Sequence, residues 1–349
     1  MKSRWLASLA VAGFVFLTSH PAAQTAPGGA GRAGAGKKAP KTSWGHPDLQ
    51  GVWTTDFEQA VPVERPAEYG TRAELNEAEM KAREETIKKR ARDDAQDRIE
   101  LGKVPGAGSR VQSGDGPEHW YEIGKSESNR TSLIIDPPNG RIPEYTPEGK
   151  ARLAKHSDKG SFRNNSTGPW DGPEDLDLRD RCITRGLPRT WFPSAYNNGF
   201  QIVQTPDTVV VYYERLHEAR VIPLDNRPLP SADVREYMGY SRGRWEGDTL
   251  VVDVTNFSDK SEFYGAAENL KVTERYRRVG DAVEVEFTMT DPTTWTKPWT
   301  AKVTGVKDAE YWQIFEYACH EGNYGMTNIL AGARKKDKAD AAKGKQSNP

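Results

Sequence analysis

Between Phe200 and Thr290 short apolar, β-branched or aromatic runs alternate with turn residues, and this rhythm limits the possible folds more than any other feature of the chain. Residues 208–214 and 219–223 flank Arg215-Leu216-His217-Glu218, the spacing of a hairpin with a longer turn. Gly247-Asp248 separates Gly243-Arg244-Trp245 from residues 249–255, and Gly280-Asp281 separates 270–279 from 282–290. In the last run Val283, Val285, Phe287 and Met289 alternate with Glu284, Glu286 and Thr288, which gives a strand one apolar and one wet face. Hairpins repeated in this way predict a mainly β protein. The expected form is an antiparallel β-barrel or a strongly bent sheet with peripheral helices, and a β-sandwich is the alternative.

The rest of the chain frames this region. Lys2 and Arg4, the apolar run 6–17 and the small residues Pro21-Ala22-Ala23-Gln24 read as a secretory signal over 1–24. Its apolar run is shorter than a membrane span, so no stable membrane insertion is expected after cleavage, and the protein is expected to be periplasmic or secreted. Residues 25–43 form a Gly-, Ala- and Lys-rich disordered linker, 44–334 a single β-rich domain, and 335–349 a disordered tail. Thr71-Arg72-Ala73-Glu74 has capping-box spacing and opens a highly charged helix near 71–101. A glycine-rich connector follows at 102–116, then a strand at 130–136. Thr146 and Pro147 start a short helix with Gly160 beyond its end, and 161–180 reads as an irregular surface excursion. With 49 basic and 50 acidic residues, a net charge of -1, there is no global field to draw nucleic acid or an anionic membrane. The expected partner is a small-molecule ligand or substrate.

Cys182 and Cys319 are the two cysteines, and in an oxidising compartment they are expected to form a disulfide, with two buried free thiols as the alternative. Gly51-Val52-Trp53 resembles the Gly-x-Trp that opens the first strand of lipocalin-like (calycin) barrels. More broadly, 48–53, 196–224, 239–257 and 290–334 resemble a family of uncharacterised exported bacterial proteins. That resemblance implies export and carries no activity, cofactor or catalytic residue across.

Candidate chemistry gathers near the end of the chain. Tyr311-Trp312-Gln313-Ile314-Phe315-Glu316-Tyr317-Ala318 reads as a strand running into Cys319-His320-Glu321. Alternation then puts Glu316 on a face with Trp312, Ile314 and Ala318, where a carboxylate is either paired or held for proton transfer. His217-Glu218 and His320-Glu321 supply imidazoles beside carboxylates. The candidate catalytic residues are therefore Glu316 and His320, with His217 assisting. Arg220 is the candidate for orienting a substrate carboxylate; for Arg242 and Arg244 cross-strand ion pairs are the favoured reading. Trp295 and Trp299, in a turn-rich segment, would frame a pocket mouth, whereas Trp53, Trp245 and Trp312 are assigned to the core.

A divalent metal on His217, His320 and Glu316 or Glu321 is a minor alternative, because no His-Glu-x-x-His or Cys-x-x-Cys occurs. No cofactor is predicted; Gly-x-Ser-x-Gly and a phosphate loop are both lacking. These readings converge on an exported enzyme, a hydrolase or lyase, acting by acid–base chemistry on a small polar or aromatic molecule. A non-catalytic lipocalin-like ligand-binding protein and a structural envelope protein are the alternatives.

Overall fold

The computed structural model describes residues 39–101, 128–158, 170–194, 196–225, 227–309 and 312–346. The signal segment, most of the linker, the connector 102–116, residues 159–169 and the last three residues of the tail lie outside the described residues.

Ten strands form one sheet: β1 (Gly51–Thr54), β2 (Ile134–Asp136), β3 (Gly199–Gln204), β4 (Thr208–Tyr213), β5 (Glu218–Pro223), β6 (Tyr240–Glu246), β7 (Thr249–Thr255), β8 (Lys271–Val279), β9 (Ala282–Thr290) and β10 (Trp299–Val306). Their order is β5-β4-β3-β1-β10-β9-β8-β7-β6, with β2 also paired to β10, and every pairing is antiparallel. The hairpin periodicity sets this register. Glu246 pairs with Thr249 around Gly247-Asp248, and Val279 with Ala282 around Gly280-Asp281. Gly247 and Gly280 take positive φ, as the first central position of such two-residue turns requires.

The sheet is not closed into a barrel. β5 and β6 are its two edges, and the chain passes between them through residues 224–239 without pairing them. Side chains bridge the seam instead: Arg220 Nε of β5 donates to Ser241 Oγ of β6 at 2.8 Å. Next to this bond Gly243 leaves room for Ile222 and Leu224, because a Cβ there would lie 2.9 and 2.6 Å from their methyl carbons. Pro223 also removes one donor from the β5 edge. The expected closed barrel is thus corrected to an open sheet. The sandwich alternative falls as well, since all ten strands belong to one continuous sheet.

The inner face holds Trp53, Phe200, Ile202, Val211, Ile222, Leu250, Val252, Tyr276, Val285, Phe287 and Val303, each at most 2% exposed. Burial of each such side chain contributes about 1.5–3 kcal/mol, gross of the entropy lost on ordering it. Into this core Trp191 reaches from the loop before β3, edge-on to Phe200 and Tyr213 at 5.0 and 5.1 Å. Leu187 and Phe192 are buried beside it.

Among the described residues three α-helices lie outside the sheet: α1 (Glu77–Leu101), α2 (Pro147–Asp158) and α3 (Tyr324–Gln346). The charged helix starts later than expected. Asn76 and Glu79 make the reciprocal capping box, with Glu79 N donating to Asn76 Oδ1 and Asn76 N to Glu79 Oε2, both at 2.9 Å. Thr146 caps α2 as its sequence predicts, accepting from Gly149 N at 3.0 Å. Where a disordered tail was expected over 335–349, α3 continues through the described residues to Gln346. Alanine and lysine favour the helix there, and Lys336–Asp340 adds an (i, i+4) pair at 3.0 Å.

Candidate functional site

The segment expected to carry the chemistry is not a strand. Residues 312–318 are irregular, Glu316 and His320 are exposed, and Trp312, assigned to the core, is 69% exposed. The physical reason is topological: β10 is already flanked by β9, β1 and β2, and the two sheet edges face each other across a filled seam. Among the described residues this segment pairs with no strand of the sheet. His217 does meet this segment, its Nδ1 lying 2.9 Å from the Tyr317 carbonyl oxygen, but through backbone and from an exposed position.

The expected binding residues are also relocated. Arg220 is 4% exposed and points into the core, where its Nη1 lies 2.9 and 2.7 Å from the two carboxylate oxygens of Glu274. Tyr276 OH donates to the same carboxylate at 2.8 Å. Burial works against the Arg220 charge, and Glu274 more than compensates, raising its pKa above the ordinary guanidinium value. Trp295 and Trp299 are 1% and 0% exposed and pack edge-on at 5.5 Å, so they frame no pocket mouth. Their turn is tied to α2, with Thr146 N donating to Thr294 O at 3.0 Å, and this drives both indoles inward. Trp53 is buried, as expected, and Arg244 makes the expected surface ion pairs with Asp253 and Glu246. Among the described residues no three His, Cys, Asp or Glu side chains gather as a metal ion would require.

Cys182 and Cys319 are bonded, with Cα atoms 5.8 Å apart. The bond fixes the loop between α2 and β3, which has two sides. Leu187, Trp191 and Phe192 enter the core, while Arg179, Arg181, Arg185 and Arg189 line a cavity of about 520 Å³. Its opposite wall is the β7–β8 connection, including Lys260, Ser261 and Tyr264.

The charges in this cavity are unevenly matched. Arg179 Nε and Nη2 bind Asp177 at 2.8 and 3.1 Å, and Arg181 lies 3.5 Å from Glu174. Burial raises the Asp177 carboxyl, but its bonds from Arg179 outweigh this and hold it below the usual range. Asp175 accepts from the backbone of Asp171 and Gly172, and Glu262 from Gly265 N. Arg185 and Arg189 have no carboxylate within 4.0 Å among the described residues. Arg185 donates to the Phe192 carbonyl at 3.4 Å, and Arg189 lies over the Phe263 and Tyr264 rings at 5.5 and 5.6 Å. Burial, then the charges of Arg215, Arg189 and Arg179, press the Arg185 pKa well below its ordinary value. Such crowding of cations is relieved by an anion.

One carboxyl beside the cavity is perturbed in the opposite sense. Burial pushes Glu218 up to about 7 against the lowering effects of its Thr184 bond, Arg220 and His217. Thr184 Oγ1 donates to Glu218 Oε2 at 2.7 Å. Sequence reasoning named His217 of this dipeptide and passed over its acidic neighbour. It also missed the signal of four arginines within 179–189 around a cysteine.

No protein-family model matches the chain, no curated protein is detectably similar to it, and no solved structure matches it.

Proposed function

We propose that this is an exported ligand-binding protein that takes a small anionic molecule into the arginine-lined cavity. The observation that carries the reading is the pair Arg185 and Arg189, which face a cavity of about 520 Å³ and have no carboxylate within 4.0 Å among the described residues. Guanidinium groups suit the paired hydrogen bonds of carboxylate, sulfate or phosphate, and the cavity size suits a small molecule. Tyr264 beside Arg189 adds an aromatic surface for a sugar or aromatic ring. The disulfide supports an oxidising compartment, and the likeness to exported bacterial proteins belongs to the same proposal.

The acid–base enzyme, hydrolase or lyase, is the second reading, and Glu218 is the observation that favours it. Its pKa of about 7 suits proton transfer at neutral pH. Glu316 and His320 are exposed and do not line this cavity.

Thermal unfolding of the mature protein with sulfate, citrate, glucuronate and benzoate, each against a neutral analogue, tests the binding reading. A ligand at about one hundred times its Kd adds about 2.7 kcal/mol of stability. Stabilisation by anions and not by their neutral analogues supports the proposal; equal responses to both sets overturn it.

A further inference from the structure

A second recess, of about 570 Å³, adjoins the arginine cavity, and Glu218, Ala219, Met238 and Lys260 are among its lining residues. Lys260 lines both spaces, and Thr184 of the first cavity is hydrogen-bonded to Glu218 of the second. The Thr184 hydroxyl accepts from Gly186 N at 2.9 Å, and of the two acceptors within reach of its own hydrogen Glu218 Oε2 at 2.7 Å is nearer than the Met238 sulfur at 3.4 Å. Among the described residues the other Glu218 oxygen has no hydrogen-bond partner.

We propose, on the reading that the first cavity holds an anionic group, that Glu218 is the second anchor of the ligand and, as a carboxylic acid, donates to an acceptor oxygen seated in the adjoining recess. The ligand class is then a small oxo- or hydroxy-carboxylate, or its sulfated or phosphorylated equivalent. It is anionic at the end held by Arg185 and Arg189, and neutral with an acceptor oxygen at the end that reaches Glu218.

The surroundings of Glu218 support its neutral form. Burial dominates and outweighs His217 and Arg220 on its own side, whose charges favour the carboxylate. Tyr213 faces it from β4, Arg235 and Glu236 from the β5–β6 connection, and Lys260 from the β7–β8 connection. A bound anion one hydrogen bond away adds negative charge and favours the acid further.

Calorimetric titration of the mature, disulfide-bonded protein with three probes tests this. Sulfate fills the first cavity alone, a straight-chain alkanoate lacks the acceptor, and an oxo-carboxylate of equal length carries both. At about pH 6 the oxo-carboxylate is expected to bind about tenfold or more tighter than the alkanoate, and this advantage should fall towards a factor of one at about pH 8, while sulfate and the alkanoate, coupled to Glu218 through charge alone, lose less affinity over the same range. Glu218→Gln, whose amide donates without titrating, should keep the advantage at both pH values, and Glu218→Ala should lose it. Equal binding of the two carboxylates by the wild type, or a pH dependence that persists in Glu218→Gln, overturns the inference. Failure of sulfate to bind overturns the cavity reading and this inference with it, whereas sulfate binding without an oxo-carboxylate advantage overturns the inference alone.

Discussion

Cys182 is joined to Cys319 across 137 positions of sequence, and Cys182 stands in the chain between Arg181 and Arg185, both of which line the candidate cavity. Asn323 reinforces it by donating to the Asp180 carbonyl at 2.8 Å. The cavity loop is thus tied to the chain just before α3, apart from its apolar anchorage through Trp191.

Replacing both cysteines with alanine should therefore separate site from scaffold. Closing a loop of this length stabilises by about 5 kcal/mol at most in the chain-entropy model. The double variant should show a lower unfolding midpoint, a retained β-sheet circular dichroism spectrum and weakened anion binding. Unchanged anion affinity in the folded double variant would show that the loop is held without its disulfide.

The buried Arg220–Glu274 pair leads to a different expectation. Arg220→Met leaves the Glu274 carboxylate, 0% exposed, without its cation, and should cost about 3–5 kcal/mol. Adding Glu274→Gln should recover much of that loss, because no lone charge remains. Denaturant unfolding of the two single variants and the double variant checks this, and additive losses would contradict the coupling.

For Glu218 the sign of the pH effect follows from its raised pKa. The folded state binds this proton up to about pH 7, the unfolded chain only to about 4.5. Its contribution is fully present below pH 4.5 and is lost as the pH rises through 7. Glu218→Gln should match the wild type near pH 4.5 and exceed it above pH 7 by about 1–2 kcal/mol, a modest figure because the group is partly open to solvent. Thermal melts across this range check it; a variant less stable than wild type above pH 7 would contradict the assignment.

The hairpins were legible because period-two alternation and Gly-Asp turns are local signals. Val283 to Met289 and Gly280-Asp281 carry their register within a few residues. Closure was not legible, since it depends on how Ile222 and Leu224 meet Gly243 across the seam. The run 311–318 has strand composition, yet its described residues pair with no strand, an outcome decided by elements far away in sequence. Glu274 held a readable clue, lying between Val272 and Tyr276 on the apolar phase of β8, where its partner Arg220 is supplied by β5. The arginine cavity was hidden differently. The four arginines stand near Asp175, Asp177 and Asp180 in the sequence, and only the fold shows that Arg179 and Arg181 take nearby carboxylates while Arg185 and Arg189 do not.

The most direct test of the account is calorimetric titration of sulfate and citrate into the mature, disulfide-bonded protein and its Arg185→Gln/Arg189→Gln variant. Each lost charge-assisted contact is worth about 1.5–3 kcal/mol, so the account predicts saturable binding by the wild type and at least about a tenfold loss in the variant, with the fold intact. Equal affinity in the two proteins, or no binding of either anion by the wild type, would contradict it.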